Sequence, residues 1–263
     1  MSQPNPTFSL FLLTGRVGIV TGANRGLGLE ITRALIDAGA SKVYAFDLPE
    51  TPGPEFVAAV ESVGDKLEYV CADVSQQETM WQKVQEIAER EGRLDFCVAG
   101  AGIGASHSCL EYKAKDFERM MSVNCNGAFY TAQACAREMV KLGTGGSIVL
   151  IASMAGSVTL RDAQVTAYQA SKAAVLAIGR SMACELGAQK IRVNTLSPGY
   201  IPTDMTRPFL DVQGVAESWA SQNPLGRLGQ PHEIRGAAVW LASDASTFCT
   251  GSDIIVDGGH RAW

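Results

Sequence analysis

Thr21-Gly22-Ala23-Asn24-Arg25-Gly26-Leu27-Gly28 decides the fold of this 263-residue chain. A short β-branched run, Val17–Thr21, precedes it, and apolar residues at helical spacing over residues 27–38 follow it. These patterns predict a strand, a tight glycine turn and a helix. Glycines allow the backbone to turn sharply and approach a pyrophosphate, and the helix N-terminus offers free N–H groups to that charge. The stretch therefore predicts dinucleotide binding, with a generic glycine-rich turn as the alternative.

Strands and helices alternate along the rest of the chain. The predicted strands are residues 17–21, 42–46, 67–71, 94–99, 146–152, 191–196 and 254–256, and the main helices are residues 27–38, 75–90, 125–142, 168–186 and 231–242. Ser75-Gln76-Gln77-Glu78 predicts a capping box at the start of the second of these helices. Nearly all-apolar strands in βα units predict a parallel sheet covered on both faces. We therefore expect an α/β, single-domain Rossmann fold with a doubly wound, seven-stranded parallel sheet.

Composition excludes several other classes of protein. The net charge is −5 and no basic run occurs, which argues against a nucleic-acid partner. No apolar run approaches the length of a membrane span, and the apolar residues 8–13 lack the charged flank of a signal peptide. The seven cysteines are scattered without a C-x-x-C pair, and the three histidines form no ligand-spaced group with them. We expect reduced thiols, a cytoplasmic protein and no metal site.

Tyr168 and Lys172 form a second candidate site in Ala167-Tyr168-Gln169-Ala170-Ser171-Lys172. Residues four apart lie one turn apart on one helix face. An ammonium near a phenol favours the phenolate, so we expect Lys172 to lower the pKa of Tyr168. Such a tyrosine exchanges protons with an alcohol or carbonyl oxygen near neutral pH. The alternative is a core aromatic beside a solvated lysine, since Y-x-x-x-K alone is a common pattern.

The second and third strands indicate which dinucleotide is bound. Asp47 stands at the end of the second strand, where a carboxylate accepts hydrogen bonds from ribose hydroxyls and repels a 2′-phosphate. No basic residue follows it until Lys66, so NAD is the preferred cofactor. Arg25 could meet a 2′-phosphate, so NADP remains possible. Asp73 could bond the adenine amino group. The alternative for Asp47, Arg25 and Asp73 is that each is a charged residue of a turn or loop without a role in cofactor binding.

T-G-x-x-x-G-x-G and Y-x-x-x-K together, over residues 15–259, resemble the short-chain dehydrogenase/reductase family. The resemblance implies a catalytic tetrad of Asn124, Ser153, Tyr168 and Lys172. Tyr168 would be the acid in reduction and the base in oxidation, while Lys172 would lower its pKa and bond the nicotinamide ribose. Ser153 would donate to the substrate oxygen. Asn124 would bend its helix and hold a water that links Lys172 to solvent.

The same resemblance, with the turns above, predicts the contacts of both ligands. The predicted cofactor contacts are Gly22, Asn24, Arg25, Gly26, Leu27, Gly28, Asp47, Leu48, Asp73, Val74, Ala99, Gly100, Ala101, Tyr168, Lys172, Pro198, Gly199, Ile201 and Thr203. The predicted substrate contacts are Ser153, Met154, Gln164, Tyr168, Tyr200 and Met205. Residues 1–13 are expected to be a loosely ordered lead-in, and residues 14–263 the catalytic domain. Within that domain, a lid over residues 200–226 is expected to cover the substrate.

Two departures from the family pattern stand beside these ligands. Ala99-Gly100-Ala101-Gly102 replaces the family's Asn-Asn-Ala-Gly, so we expect some loss of local rigidity without loss of activity. Ser153 and Tyr168 are fifteen apart, slightly more than expected, which places extra residues at 158–165 beside the substrate. Arg161, Asp162 and Gln164 in that segment either face a polar substrate or are solvated.

The C-terminal residues 223–263 are similar to fungal-type polyol members of the sorbose, mannitol and arabinitol type. The resemblance suggests an oxidoreductase that transfers a hydride between a nicotinamide cofactor and a secondary alcohol or ketone, with a polyol or ketose as substrate. The alternative is a ketoreductase of secondary metabolism acting on a cyclic ketone. A more remote alternative is a non-catalytic dinucleotide-binding sensor. The family also implies a homotetramer or homodimer paired through the helices that carry Asn124 and Tyr168.

Overall fold

A computed structural model of the chain describes residues 6–161 and 163–263. Seven parallel strands form its sheet in the order β3-β2-β1-β4-β5-β6-β7. Their bounds are β1 Val17–Thr21, β2 Lys42–Asp47, β3 Leu67–Cys71, β4 Phe96–Ala99, β5 Gly146–Ile151, β6 Ile191–Pro198 and β7 Asp253–Val256. The predicted α/β fold with a doubly wound sheet of seven strands is confirmed.

Helices cover both faces of the sheet, as the apolar strands require. Their bounds are α1 Pro6–Ser9, α2 Gly26–Asp37, α3 Pro54–Val63, α4 Gln77–Glu91, α5 Ala114–Met121, α6 Gly127–Leu142, α7 Thr166–Leu186, α8 Arg207–Leu210, α9 Val215–Ser221 and α10 Arg235–Ala242. Buried residues of α4, α6 and α7 form one core with the sheet, and those of α2, α3 and α10 form a second core on the other face. Among the described residues, no helix is long and apolar enough to cross a membrane.

Strand β1 lies between β2 and β4, so the winding of the sheet reverses there. Thr21 of β1 pairs in register with Ala99 of β4, which brings the carboxyl ends of the two strands side by side. In open α/β sheets, ligands bind in the crevice outside such a reversal. The fold therefore places the glycine turn after β1 at the expected position for a nucleotide crevice.

The predicted capping box before α4 is wrong. Helix α4 begins at Gln77, and its N-cap Gln76 makes no side-chain capping bond. Ser75 instead donates from both its backbone nitrogen and its hydroxyl to Asp73 Oδ1, at 2.9 and 2.7 Å. An aspartate two residues upstream competes with the helix for these donors, as in an Asx turn. Glu78 consequently lies in the first turn of the helix and not at its third position.

The helix predicted from residue 125 has a longer and less regular course. Helix α5 comes first, and a π-helical turn, Ser122–Asn126, connects it to α6 without a break. Helix α5 is mostly exposed and buries only Met120, but its apolar residues Phe117, Met120 and Met121 recur at helical spacing, so the sequence does contain a helical signal for it. Similarly, the helix predicted from Pro231 starts as a 3₁₀ turn, Pro231–Ile234, before α10.

The predicted boundary at residue 14 stays a prediction, and residues 1–5 lie outside the described part of the chain. Two contacts tie the segment before that boundary to the folded body. Leu13 is fully buried in the core with α2 and α10. The Leu10 carbonyl accepts a hydrogen bond from the backbone nitrogen of Ala245 at 3.0 Å.

Gly18 in β1 provides a test of core packing. It faces Phe96, its register partner in β4, and a Cβ built on Gly18 would lie 2.0 Å from a carbon of the Phe96 ring. Both strands are buried, so neither can shift freely. We expect Gly18→Ala to lower the free energy of unfolding by about 1–3 kcal/mol, measured by chemical denaturation.

The matched control is Gly236→Ala in α10, because Gly236 is exposed and a Cβ there would meet nothing within 4 Å. This substitution should leave stability unchanged or raise it by less than about 1 kcal/mol. Equal effects of the two substitutions would contradict the packing argument.

Candidate active site

Glycines bring the turns after β1 and β4 into contact. Gly22 has φ +69°, and a Cβ on it would lie 2.7 Å from the Cα of Ala101. Thr21 Oγ1 accepts hydrogen bonds from the backbone nitrogens of Gly100 and Ala101, at 3.1 and 3.3 Å. The segment that lacks the family's asparagines is therefore held by a threonine from β1. Gly28 has an equally close contact, since its Cβ would lie 2.0 Å from the Gly22 oxygen.

The first turn of α2 has the properties of an anion site. Its N-cap residue, Arg25, is in an extended conformation and makes no side-chain capping bond, and no acidic residue stands in the first turn. The N–H groups of a helix N-terminus carry partial positive charge and favour phosphate. Because Gly22 and Gly28 approach each other closely and have no side chains, backbone atoms also line the space beside these N–H groups. These residues fit a dinucleotide pyrophosphate, as the sequence predicts.

Asp47 connects the glycine turn to the end of β2. Its Oδ2 accepts from the backbone nitrogen of Asn24 at 3.0 Å, and its Oδ1 accepts from that of Leu48 at 2.8 Å. Asn24 Oδ1 in turn accepts from the backbone nitrogen of Gly53 at 2.8 Å. A carboxylate has about four acceptor sites, so two remain for ribose hydroxyls. Arg25 points elsewhere, because its Nη1 lies 3.2 Å from Oδ2 of Asp204.

Asp73 and Val74 follow β3 on the same side of the sheet. Asp73 is occupied by the two bonds from Ser75, and Val74 is buried against α6. A Cβ on Gly127, the first residue of α6, would lie 2.6 Å from the Val74 side chain. Both residues thus position the start of α4 and α6, in addition to any contact with a ligand.

Tyr168, Ser153 and Lys172 lie together beyond β5. The Ser153 side chain lies close enough to the hydroxyl of Tyr168 to influence its pKa, and Ser153 Oγ accepts from the backbone nitrogen of Ala155 at 3.1 Å. Lys172 Nζ lies 5.8 Å from the centroid of the Tyr168 ring. Its ammonium donates to the backbone oxygen of Ile151 at 2.8 Å. The structure therefore brings three of the four predicted catalytic side chains into one cluster.

The electrostatics of this cluster differ from the prediction. Burial raises the pKa of Tyr168 above its usual value, and the nearby Ser153 side chain lowers it by less. Lys172 is only 5% exposed, and burial lowers its own pKa to about 8. Near pH 8 such a lysine is partly neutral, so it attracts a phenolate only weakly. The prediction that Lys172 lowers the pKa of Tyr168 is wrong for the chain by itself.

Asn124 is fully buried in the π-helical turn and is bonded on two sides. Its Oδ1 accepts from the backbone nitrogen of Ile103 at 2.8 Å, and its Nδ2 donates to the Ile103 oxygen at 3.0 Å. Nδ2 also lies 3.1 Å from the hydroxyl of Ser171 in α7. A Cβ on Gly102 would meet both Asn124 Oδ1, at 3.4 Å, and Lys172 Nζ, at 3.7 Å. The glycine therefore keeps space between the amide and the ammonium.

Gly102, Ile103 and Ser171 were not predicted as site residues. Gly102 was noted only for its small size, and the contribution of Ile103 comes from backbone atoms, which no side-chain pattern reveals. Ser171 stands next to Lys172 in the sequence, and its hydroxyl also donates a hydrogen bond to the backbone oxygen of Tyr168 at 2.7 Å. That local bond is a common property of helical serines, so it carries no sequence signal.

The segment after β6 links the two predicted ligand regions. Ile201 is buried, and a Cβ on Gly199 would lie 2.6 Å from the Cα of Asp257, which anchors the start of the segment. Thr203 approaches the glycine turn, since a Cβ on Gly26 would lie 4.0 Å from the Thr203 Cβ. Pro198, the last residue of β6, completes this group of predicted cofactor contacts.

The predicted substrate residues are in different surroundings. Met205 lies over the turn after β4, because a Cβ on Gly104 would lie 3.2 Å from Met205 Cγ. Tyr200 is buried and stacks on Trp219 of α9, with ring centroids 4.2 Å apart. Met154 is buried, whereas Gln164 is exposed and accepts a bond from the His107 backbone nitrogen through its own backbone oxygen, at 2.8 Å. Asp162 lies outside the described residues.

No group of three or more metal-ligating side chains occurs in the part of the chain that the structure describes. The fold and the site together define a Rossmann-type α/β protein in which a buried lysine lies one helical turn from a half-buried tyrosine, beside the nucleotide crevice. A family model described as Enoyl-(Acyl carrier protein) reductase matches residues 22–261. The chain is 38% identical over 264 residues to sorbose reductase sou1 of Schizosaccharomyces pombe, covering 96% of this chain and 98% of that protein.

Galactitol 2-dehydrogenase (L-tagatose-forming) of Cereibacter sphaeroides is 36% identical over 256 residues, covering 97% of this chain and 98% of its own. The crystal structure of a gluconate 5-dehydrogenase from Burkholderia cenocepacia, in complex with NADP and tartrate, superposes with a TM-score of 0.91. Its identity is 32%, with 97% of this chain and 99% of that one covered. The chain belongs to the short-chain dehydrogenase/reductase family, a family of oxidoreductases that act on alcohol groups with nicotinamide cofactors.

The lowered pKa of Lys172 makes stability depend on pH. The unfolded lysine holds its proton up to about pH 10.5, whereas the folded one releases it near 8. Between these values the unfolded state binds more protons, so stability should rise with pH in this window and the penalty of the buried charge should be complete below it. We expect the wild type to gain stability relative to Lys172→Met as the pH rises from 8 to 10.5, measured by denaturant unfolding. Parallel pH curves for the two proteins would contradict this.

Proposed function

We propose that the chain transfers a hydride between a nicotinamide dinucleotide and a secondary alcohol or ketone, with a polyol or ketose as substrate. The observation that carries this proposal is the approach of the Ser153 side chain to the hydroxyl of Tyr168, one helical turn from buried Lys172. A phenol and a hydroxyl that converge in this way can share one substrate oxygen. The dinucleotide, when bound, supplies or accepts the hydride.

Tyr168 and Ser153 act on the reacting oxygen of the substrate. Burial holds the pKa of Tyr168 above its usual value, so the phenol stays protonated at neutral pH and is ready to donate in reduction. Ser153 donates a second hydrogen bond as negative charge develops on that oxygen. In oxidation the direction is reversed and the tyrosine accepts the proton. Both residues touch the substrate and are therefore assigned catalytic roles.

Lys172 and Asn124 support the tyrosine. Lys172, with a pKa of about 8, changes its protonation state near physiological pH and can restore the proton of the phenol. Its bond to the Ile151 oxygen fixes the ammonium in the space left by Gly102. Asn124 holds the turn after β4 against α7 through Ile103 and Ser171. We assign Asn124 as a positioning residue for the helix that carries Tyr168 and Lys172.

A polyol or ketose is supported by the named activities of the relatives. Sorbose reductase and galactitol 2-dehydrogenase act on a sugar and a sugar alcohol, and both align with nearly the whole chain. The gluconate 5-dehydrogenase structure has tartrate, a small hydroxylated acid, in its complex. Gln164 is exposed and offers an amide to a hydroxylated substrate.

NAD(H) is the proposed preferred cofactor. Asp47 has acceptor sites available for the ribose hydroxyls, and each charge-assisted bond contributes roughly 1.5–3 kcal/mol. Unit negative charges about 4 Å apart repel by about 4 kcal/mol at an effective dielectric near 20. Solvent and salt reduce this at an open site. A preference over NADP(H) of about tenfold or more still remains.

We also infer a cytoplasmic homotetramer or homodimer that pairs through α6 and α7. All seven cysteines are free thiols, which supports a reducing compartment. A groove of about 490 Å³ runs between α6 and α7, and its lining includes Phe129, Ala136, Val140, Met182 and Leu186. Val140 is 48% exposed, so an apolar partner surface would bury it.

Replacement of Tyr168 tests the catalytic assignment. We expect Tyr168→Phe to lower kcat by about 10²–10⁴-fold, because the variant lacks the proton donor. Its affinity for NADH should be nearly unchanged, since the ring keeps its packing. Turnover is followed by absorbance of the reduced nicotinamide, with polyols, ketoses and cyclic ketones as the panel. Tyr130→Phe in α6 is the matched control, because it removes the same hydroxyl outside the site.

The same panel separates the possible functions. Turnover of polyols or ketoses supports the proposal, turnover of cyclic ketones alone supports the alternative substrate class, and dinucleotide binding without any turnover supports a sensor. Near-normal turnover in Tyr168→Phe would falsify the assignment of the tyrosine.

Replacement of Asp47 tests the cofactor preference. Asp47→Ser should lower the ratio of the NADPH to the NADH dissociation constant about tenfold or more, because it removes both the ribose acceptor and the repulsion. The ratio is the appropriate readout, since loss of the bond to Asn24 loosens the glycine turn for both cofactors alike. Glu50→Gln is the control, because Glu50 is an exposed carboxylate three residues further on. A wild type that binds NADPH more tightly than NADH would refute the preference.

A further inference from the structure

The side chain of Arg25 is directed to the lid segment. Arg25 is the N-cap of α2, so its guanidinium is the cation that the glycine turn could offer to a 2′-phosphate. Its Nη1 lies 3.2 Å from Oδ2 of Asp204, and the side chains of the two residues are 68% and 40% exposed. The ion pair joins the glycine turn after β1 to the segment after β6, which are far apart in the sequence.

Backbone and hydroxyl bonds hold Asp204 in this position. Thr206 Oγ1 donates to the Ile201 oxygen at 2.9 Å and accepts from the backbone nitrogen of Thr203 at 2.8 Å. The backbone nitrogen of Arg207 donates to the Thr203 oxygen at 2.8 Å. The turn over residues 203–207 is thereby closed around Asp204. Thr203 also approaches Gly26, so the backbone of the turn that contains Asp204 lies next to the glycine turn that contains Arg25.

The charges at this end of the crevice disfavour a 2′-phosphate. Asp47 bonds the backbone next to Arg25 and contributes one negative charge, and Asp204 contributes another. Between β2 and Lys66 the sequence has no lysine or arginine, so Arg25 is the basic residue that the adjoining loops supply. A 2′-phosphate would have to compete with Asp204 for the guanidinium. Ribose hydroxyls are neutral and do not need it.

We propose that Asp204 is a cofactor-selecting residue, which holds Arg25 at the lid segment and so discriminates against a dinucleotide with a 2′-phosphate. This inference rests on the proposed nicotinamide-dependent function. It assigns the choice of cofactor to two carboxylates, Asp47 at the ribose and Asp204 at the arginine. It also means that the substrate side and the cofactor side of the crevice are joined by one ion pair.

The test is a double-mutant cycle with binding as the readout. Dissociation constants for NADH and NADPH are measured by calorimetry for the wild type, Asp204→Asn, Arg25→Ala and the double variant. Asp204→Asn should tighten NADPH about two- to fivefold, the range that exposed ion pairs span. Its affinity for NADH should change little. In the Arg25→Ala background the effect of Asp204→Asn on NADPH should be lost, because no guanidinium is released.

The control is Asp211→Asn, which removes an exposed carboxylate from the same segment. Among the ion pairs of the described residues, none includes Asp211, so its replacement should leave the NADH to NADPH ratio unchanged. An unchanged ratio in Asp204→Asn overturns the inference. So does an equal change in Asp211→Asn, or a change that persists without Arg25, since both indicate simple charge repulsion. A wild type that binds neither dinucleotide refutes the proposed function itself, which is a separate outcome.

Discussion

The buried amide of Asn124 is the interaction on which the site depends. It closes two hydrogen bonds with the backbone of Ile103 and a third contact with Ser171, and so joins the turn after β4 to α7. A buried amide without partners costs about 1–3 kcal/mol, so these partners must all be present together. The π-helical turn that contains Asn124 places the amide between them. Because Tyr168 and Lys172 are on α7, their distance from the nucleotide crevice is set by the same contacts.

The second constraint is the burial of Lys172. A charge with 5% exposure is stabilised only by the groups that it bonds, and here the Ile151 carbonyl is one of them. Burial lowers the pKa of the lysine to about 8 and raises the pKa of Tyr168, so the phenol stays protonated. In the function proposed above, these two shifts make Tyr168 the proton donor and Lys172 a group that can exchange protons with it. The spacing of tyrosine and lysine in the sequence indicates only the attraction between the two charges. It does not predict these shifts, because desolvation changes the pKa of both groups and is the larger effect.

The sheet and the glycine turn were predictable because their signals are local. Strands β1 and β4 are buried along their whole length and β2 is buried between its two end residues, and a parallel, doubly wound sheet is the arrangement that buries such strands on both faces. The parts that were not predicted depend on neighbours that are distant in sequence. Helix α5 is mostly exposed, and its position is set by the packing of Met120 and by the turn to Asn124. The ion pair of Arg25 and Asp204 joins two segments that are far apart in the sequence, and the glycine turn alone does not indicate it.

The segment after β6 contacts both the glycine turn after β1 and the turn after β4. Within three residues it approaches the glycine turn through Thr203, pairs with Arg25 through Asp204 and lies over Gly104 through Met205. Its far side is held by the stacking of Tyr200 on Trp219 and by the edge contact of Tyr200 with His260. The bonds of Thr206 close the turn that contains Thr203 and Asp204. In the function proposed above, the same few residues would therefore border both the nucleotide and the substrate.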